Sequence, residues 1–143
     1  MPTRTARTTW NGGLQDGAGT VALVSSGAGR YDVNFPKRAA ENADGTTSPE
    51  ELIAAAHSAC FAMQFSALLD GAGGSGQALD VSANVTLGPD PAGGFRISGI
   101  TLTVSGSAAG VSVEDFARIA QEAKSACPVS KALAGTEISL TVR

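Results

Sequence analysis

Two thiols are the residues in this chain with the most chemistry open to them. Cys60 and Cys127 are the only cysteines among 143 residues. A cysteine pair supports three jobs: a structural disulfide, two ligands of a metal site, or a redox cycle of oxidation and exchange. Their settings differ. Cys60 lies inside the uncharged run Leu52 to Leu69, where burial alone raises a thiol pKa and silences it. It therefore needs a cation. His57 precedes it by one helical turn, and Arg38 or Lys37 could arrive from the preceding loop. Cys127 opens Cys127-Pro128-Val129-Ser130. Proline favours an extended conformation at the residue before it, so the sulfur should sit at the start of a short helix, where free amides stabilise a thiolate. Local physics thus makes Cys127 the more acidic thiol.

Two glutamates flank the first site. At 100° per residue, Glu51 lies about 180° from Cys60 around a helix and Glu50 about 80° away. Glu50 alone shares a face region with the thiol, but ten residues of helix separate them by roughly 15 Å. If Glu50 serves Cys60, it should do so from a second copy of the chain across a two-fold interface. The plain role for both glutamates is capping and helix-dipole work. A zinc site built on Cys60, Cys127 and His57, the only histidine, lacks a fourth ligand. No glycine-rich phosphate loop follows a strand and opens a helix. No cofactor or metal is expected.

The elements that must position these residues are legible in part. Thr3 to Trp10, Thr20 to Val24 and Tyr31 to Phe35 read as strands, and Pro36 to Thr47 as a loop. Ser48-Pro49-Glu50-Glu51 is a helix start: Ser48 caps, Pro49 suits the first position and Glu51 completes a capping box. That helix should run to about Asp70, be fully buried, and stop at Gly71. Gly71 to Gly76 reads as a linker too short to separate domains. Leu79 to Leu87 and Phe95 to Ser105 form a strand pair around the turn Gly88 to Gly94. A second helix should start at Ser112 and reach Cys127. A short one follows to Ala134, and Ile138 to Val142 is a last strand. The order implies an α+β fold with antiparallel sheets, in a single domain over residues 1–143.

Composition narrows the partners. With 43% hydrophobic and 16% charged residues, the chain is globular and not disordered. Its net charge of −3 and lack of a basic patch argue against nucleic acid. His57, Ser58, Gln64 and Ser66 interrupt the apolar run, so no membrane span is expected. Met1 to Arg7 has no apolar segment of the kind a secretion signal needs, and the expected address is the cytoplasm, where a structural disulfide is disfavoured.

The longer motifs resemble a known family. Thr47-Ser48-Pro49-Glu50-Glu51-Leu52-Ile53-Ala54-Ala55-Ala56-His57-Ser58-Ala59-Cys60-Phe61 is similar to the first cysteine motif of the OsmC/Ohr peroxidases. Cys127-Pro128-Val129-Ser130-Lys131-Ala132-Leu133 resembles their second, and Thr9-Trp10 followed by glycines also fits. Ala56-His57-Ser58-Ala59-Cys60, and the arginine in Asn34-Phe35-Pro36-Lys37-Arg38, place the resemblance nearer the OsmC branch. It implies an OsmC-like fold, antiparallel sheets around a long central helix in an intertwined homodimer with sites at the subunit interface. It implies a peroxiredoxin-type, thiol-dependent peroxidase that reduces organic hydroperoxides and protects against oxidative stress. Cys60 matches the peroxidatic cysteine and Cys127 the resolving one, while Arg38 and Glu50 match the pair that polarises the peroxide and lowers the thiol pKa. The implied partners are an organic hydroperoxide and a dithiol reductant, by analogy a lipoylated protein. This assigns the nucleophile to Cys60 against the local reading, on the ground that Arg38 supplies the missing cation. Phe61, Met63, Phe65, Leu68 and Leu69 are the expected apolar wall around Cys60. The competing class is a non-enzymatic dimeric stress protein that binds an apolar ligand, and a third reading is a disulfide redox sensor.

Overall fold

A computed structural model describes all of residues 1–143 and resolves the chain into two compact units, Met1–Leu52 and Ile53–Arg143. The first unit is a three-stranded antiparallel sheet of β1 (Arg7–Asn11), β2 (Ala18–Ala22) and β3 (Arg30–Val33). The expected first strand began at Thr3, but pairing starts at Arg7 because its partner, Ala22, ends β2. The segment expected to be all loop holds one helical turn, α1 (Phe35–Arg38). Asn34 makes that turn possible: its side chain accepts a hydrogen bond from the Lys37 amide at 2.8 Å, and proline stands in the first turn. The chain then returns to β3, where the Thr47 amide donates to the Asp32 carbonyl at 2.9 Å.

Helix α2 (Pro49–Gly71) starts where the sequence says it should. The Ser48 hydroxyl accepts from the Glu51 amide at 3.1 Å. The return half of the expected capping box is different: the Glu51 carboxylate takes the Thr47 hydroxyl at 2.6 Å. At its other end the Gly74 amide closes back onto the Leu69 carbonyl at 2.8 Å, so the supposed linker is a tight helix stop that leads straight into the next strand.

The expectation of a fully buried α2 fails. Its sequence is apolar on every side, yet only 22% of its most apolar stretch is buried. His57, Phe61, Phe65 and Leu69, one residue in every four, form the single buried stripe, while Met63 is exposed. By length and composition α2 could cross a membrane. Here its buried stripe is part of the second unit's core.

That core lies on a second sheet, β4 (Ser75–Pro89), β5 (Phe95–Ala109) and β6 (Ile138–Val142). β4 and β5 pair antiparallel with Val81 opposite Val104 and Ala83 opposite Leu102. β6 runs parallel to β5, which corrects the expected all-antiparallel arrangement. A parallel neighbour needs a crossover, and the helices α3 (Val113–Ala126) and α4 (Pro128–Ala132) supply it. α3 is capped by Ser112 and buries Phe116, Ile119, Ala120 and Ala123, a helical stripe. Phe65 stands between Phe61 and Phe116, with ring centres 5.7 and 4.8 Å away. Leu102 and Val104 of β5 close the same cluster.

Candidate active site

The folded chain gathers the candidate residues into two groups. In the first unit, α1 delivers Arg38 and the first turn of α2 delivers Glu50. Arg38 grips the carboxylate with two nitrogens: Nη2 donates to Oε1 at 2.6 Å, and Nε to Oε2 at 3.1 Å. Burial pushes the Glu50 carboxyl up, but the Arg38 bonds outweigh it, aided by Glu50's own amide and the Ser48 hydroxyl, so Glu50 titrates below its ordinary range. Hydrogen bonding to Glu50 holds the Arg38 proton more firmly in turn. Arg38 keeps a third of its side chain in the open. Lys37, the other candidate cation, is instead tied to Asp44.

Arg38 also forms part of the wall of a hollow in the first unit. Trp10, Leu14, Val21, Val33, Phe35 and Leu52 line it, and its volume is about 580 Å³. Apolar carbon dominates the lining, with one guanidinium among it. The sequence signal was faint, because these residues come from three strands, a turn and two helices.

In the second unit, Cys60 and Cys127 come together from α2 and the α3–α4 junction. Both are free thiols. Cys60 is half-buried and Cys127 fully buried. Cys127 ends α3 and precedes α4, with φ −57° and ψ 122°, the extended geometry that Pro128 imposes. Burial pushes its thiol up, but the nearby Ser130 amide, Cys60 thiol, Ser130 hydroxyl and Val129 amide bring it below the ordinary cysteine value. Burial raises Cys60, and the neighbouring Cys127 raises it further, against a partial offset from the Val129 amide. That is the order the local reading gave.

Ser130 has a hydrogen-bond partner from α2. Its Oγ lies 2.8 Å from Nε2 of His57, and both residues are buried. Burial lowers the His57 pKa, so the imidazole is neutral. The sequence offered His57 as a cation for Cys60, which a buried neutral imidazole is not, and its partner Ser130 was not expected. The spacing Cys127-x-x-Ser130 was the available signal. The expected apolar wall around Cys60 is not found: Phe61, Phe65 and Leu69 are wholly inside the core, Leu68 packs against it, and Met63 alone is exposed. The helical positions of Phe61, Phe65 and Leu69 put them on the buried stripe.

Comparison with known proteins bears on both groups. The family described as "OsmC-like protein" matches residues 42–143, which include both cysteines and Glu50. The chain is 40% identical to peroxiredoxin OsmC of Escherichia coli over 87% of its length and 85% of that protein's. It is 36% identical to the organic hydroperoxide resistance protein OhrA of Bacillus subtilis over 72% of each chain. Among solved structures, an organic hydroperoxide resistance protein from Elizabethkingia anophelis superposes with a TM-score of 0.79 at 30% identity, covering 99% of this chain and 96% of that one.

Proposed function

The chain belongs to the OsmC family, and we propose that it is a cysteine-based peroxidase that reduces organic hydroperoxides to alcohols, as a single OsmC-like domain over residues 1–143. The observation that carries this reading is the thiol pair: two free cysteines from distant parts of the chain interact, one half-exposed and one buried. Access makes Cys60 the sulfur that meets peroxide. Its thiolate attacks the distal oxygen, the O–O bond breaks, the alkoxide leaves as the alcohol, and Cys60 becomes a sulfenic acid. Cys127 then attacks that sulfur and expels water, giving the Cys60–Cys127 disulfide. A dithiol, by family analogy the lipoyl group of a carrier protein, returns both thiols by exchange.

A raised Cys60 pKa asks for a cation. Arg38, oriented by the bidentate Glu50, is the candidate, supplied by the partner copy of a homodimer. Two features support a dimer: the apolar faces of α2 left exposed, and the open hollow beside Arg38. In that setting the guanidinium stabilises both the thiolate and the departing oxygen. The apolar hollow around it favours an alkyl or fatty-acid hydroperoxide over hydrogen peroxide. The reducing cytoplasm is the compartment in which such a cycle turns over.

The test is consumption of cumene hydroperoxide with a dithiol reductant, comparing wild type with Cys60→Ser. Rapid turnover that vanishes in Cys60→Ser is the expected result. A fully reduced wild type that consumes no peroxide overturns the reading and favours the other use of the hollow, a dimeric stress protein that binds an apolar ligand.

A further inference from the structure

The peroxidase reading leaves one buried titratable group without a task. His57 is fully buried on α2, one turn before Cys60, and its Nδ1 has no hydrogen-bond partner. Its other nitrogen meets Ser130 at 2.8 Å, across 73 residues of sequence. Ser130 in turn stands in the first turn of α4, three residues after Cys127, and both are buried; its hydroxyl and amide are close enough to the sulfur to favour the thiolate. The hydrogen bond from imidazole to hydroxyl thus ends beside the thiol.

The direction of that line follows from proton counting. A neutral imidazole has one N–H, and a serine hydroxyl has one O–H. If the proton were on Nδ1, a buried N–H would be orphaned, and Ser130 would have to spend its only proton on Nε2. If it is on Nε2, the orphan is a lone pair, and Ser130 accepts from His57 and keeps its own proton for Cys127. Orphaned buried N–H groups are the rarer and costlier kind. The second arrangement also supplies the sulfur with a donor.

We propose that His57 and Ser130 are positioning residues for the resolving thiol: His57 donates to Ser130, which turns its hydroxyl proton onto Cys127 and readies that sulfur to attack oxidised Cys60. The inference rests on the peroxidase reading for its step, though not for its hydrogen-bond line. In that step the S–S bond forms between Cys127 and Cys60 while the S–OH bond of Cys60 breaks. The hydroxide takes up the proton that Cys127 gave up and leaves as water. The Cys127 sulfur is oxidised and the Cys60 sulfur reduced, with no outside reagent. The hydroxyl of Ser130 stabilises the thiolate before attack, and the apolar surroundings keep the donor aimed.

Two measurements test this. In a Cys60→Ser background, the ultraviolet absorbance of the Cys127 thiolate is followed against pH. Ser130→Ala, which is close to isosteric, should move the titration to higher pH by a shift equivalent to about tenfold in proton affinity, the size of one hydrogen bond to a charged group. His57→Leu should do the same, while His57→Gln, which retains an N–H near the Nε2 position, should restore it. In chains with both cysteines, one equivalent of cumene hydroperoxide is added and the sulfenic acid is trapped with dimedone. Ser130→Ala and His57→Leu should accumulate the trapped adduct, whereas wild type and His57→Gln close the disulfide first. The proposal is overturned if folded Ser130→Ala titrates and closes its disulfide as wild type does. It is equally overturned if His57→Gln behaves as His57→Leu, which reduces His57 to packing. If wild-type Cys60 is never oxidised, the peroxidase reading fails instead, and the titration still decides the hydrogen-bond line.

Discussion

The two units of this chain solve the packing problem to very different degrees. Ile53–Arg143 holds a continuous core in which Phe61, Phe65, Leu69, Leu102 and Val104 lose all contact with solvent. Met1–Leu52 has one buried hydrophobic side chain, Val21, and leaves Trp10, Leu14, Val24 and Tyr31 exposed. Every residue of β1 is exposed. The thiols sit in the finished unit and the arginine–glutamate pair in the open one. In the proposed cycle the two thiols must be held at fixed separation, which a close-packed core provides. On the proposed reading, Arg38 serves a second copy's sulfur and must remain reachable, which an unfinished surface provides.

The sharpest way to break that comparison is to remove one large side chain from each unit. Phe65→Ala deletes a ring held between two others and should cost about 3–5 kcal/mol in urea unfolding. Trp10→Ala should cost less than about 1 kcal/mol in dilute protein, because the ring is already half in water. If a second copy covers the hollow, wild-type Tm rises with protein concentration and Trp10→Ala flattens that rise. Equal, concentration-independent losses in the two variants mean that the first unit has a core of its own, and the contrast collapses.

Next in size is the cation. Arg38→Met removes a charge that is partly open to solvent, so the fold should survive, while kcat/KM for an organic hydroperoxide falls by about a hundredfold or more. Mixing it with Cys60→Ser gives a cleaner answer. In a heterodimer with sites shared between copies, the intact Cys60 of one chain meets the intact Arg38 of the other. Random pairing then restores about a quarter of wild-type activity from two dead proteins. Activity that stays at zero after exchange of subunits means that Arg38 does not act across copies.

How much of this could be read in advance depended on whether the signal was local. The start of α2 was legible because Ser48, Pro49 and Glu51 act within one turn, and so was the bend at Cys127, because Pro128 acts on its neighbour. The acidity order of the two cysteines followed from the same local rules. Tertiary features escaped. Nothing in Phe61, Phe65 and Leu69 themselves says whether they face a pocket or a sheet. The uniformly apolar α2 suggested burial on all sides because it has no polar face to reveal which stripe turns inward. The parallel placement of β6 depends on a crossover of two helices, not on any residue in Ile138–Val142. Ser130 was noticed only as part of a motif, since its partner His57 is 73 residues away.

The smallest expected effect separates the two units by pH. His57 must be neutral in the folded chain, since burial lowers its pKa from the ordinary 6.5. Below that value the unfolded chain binds a proton that the native chain refuses. The stabilising contribution is therefore present above about pH 6.5 and is lost as pH falls through the folded value, at up to about 1.4 kcal/mol per pH unit. Glu50 has the same sign in a lower window: its pKa lies under the ordinary 4.5, so its pairing with Arg38 is intact above that value and lost on further acidification. Urea unfolding across the acid range should then show two successive losses, the first from the second unit and the next from the first. His57→Gln removes the earlier loss and leaves the later one, and Glu50→Gln does the reverse. A single loss that both variants abolish means that the two groups titrate as one system, and the independence of the two units is then wrong.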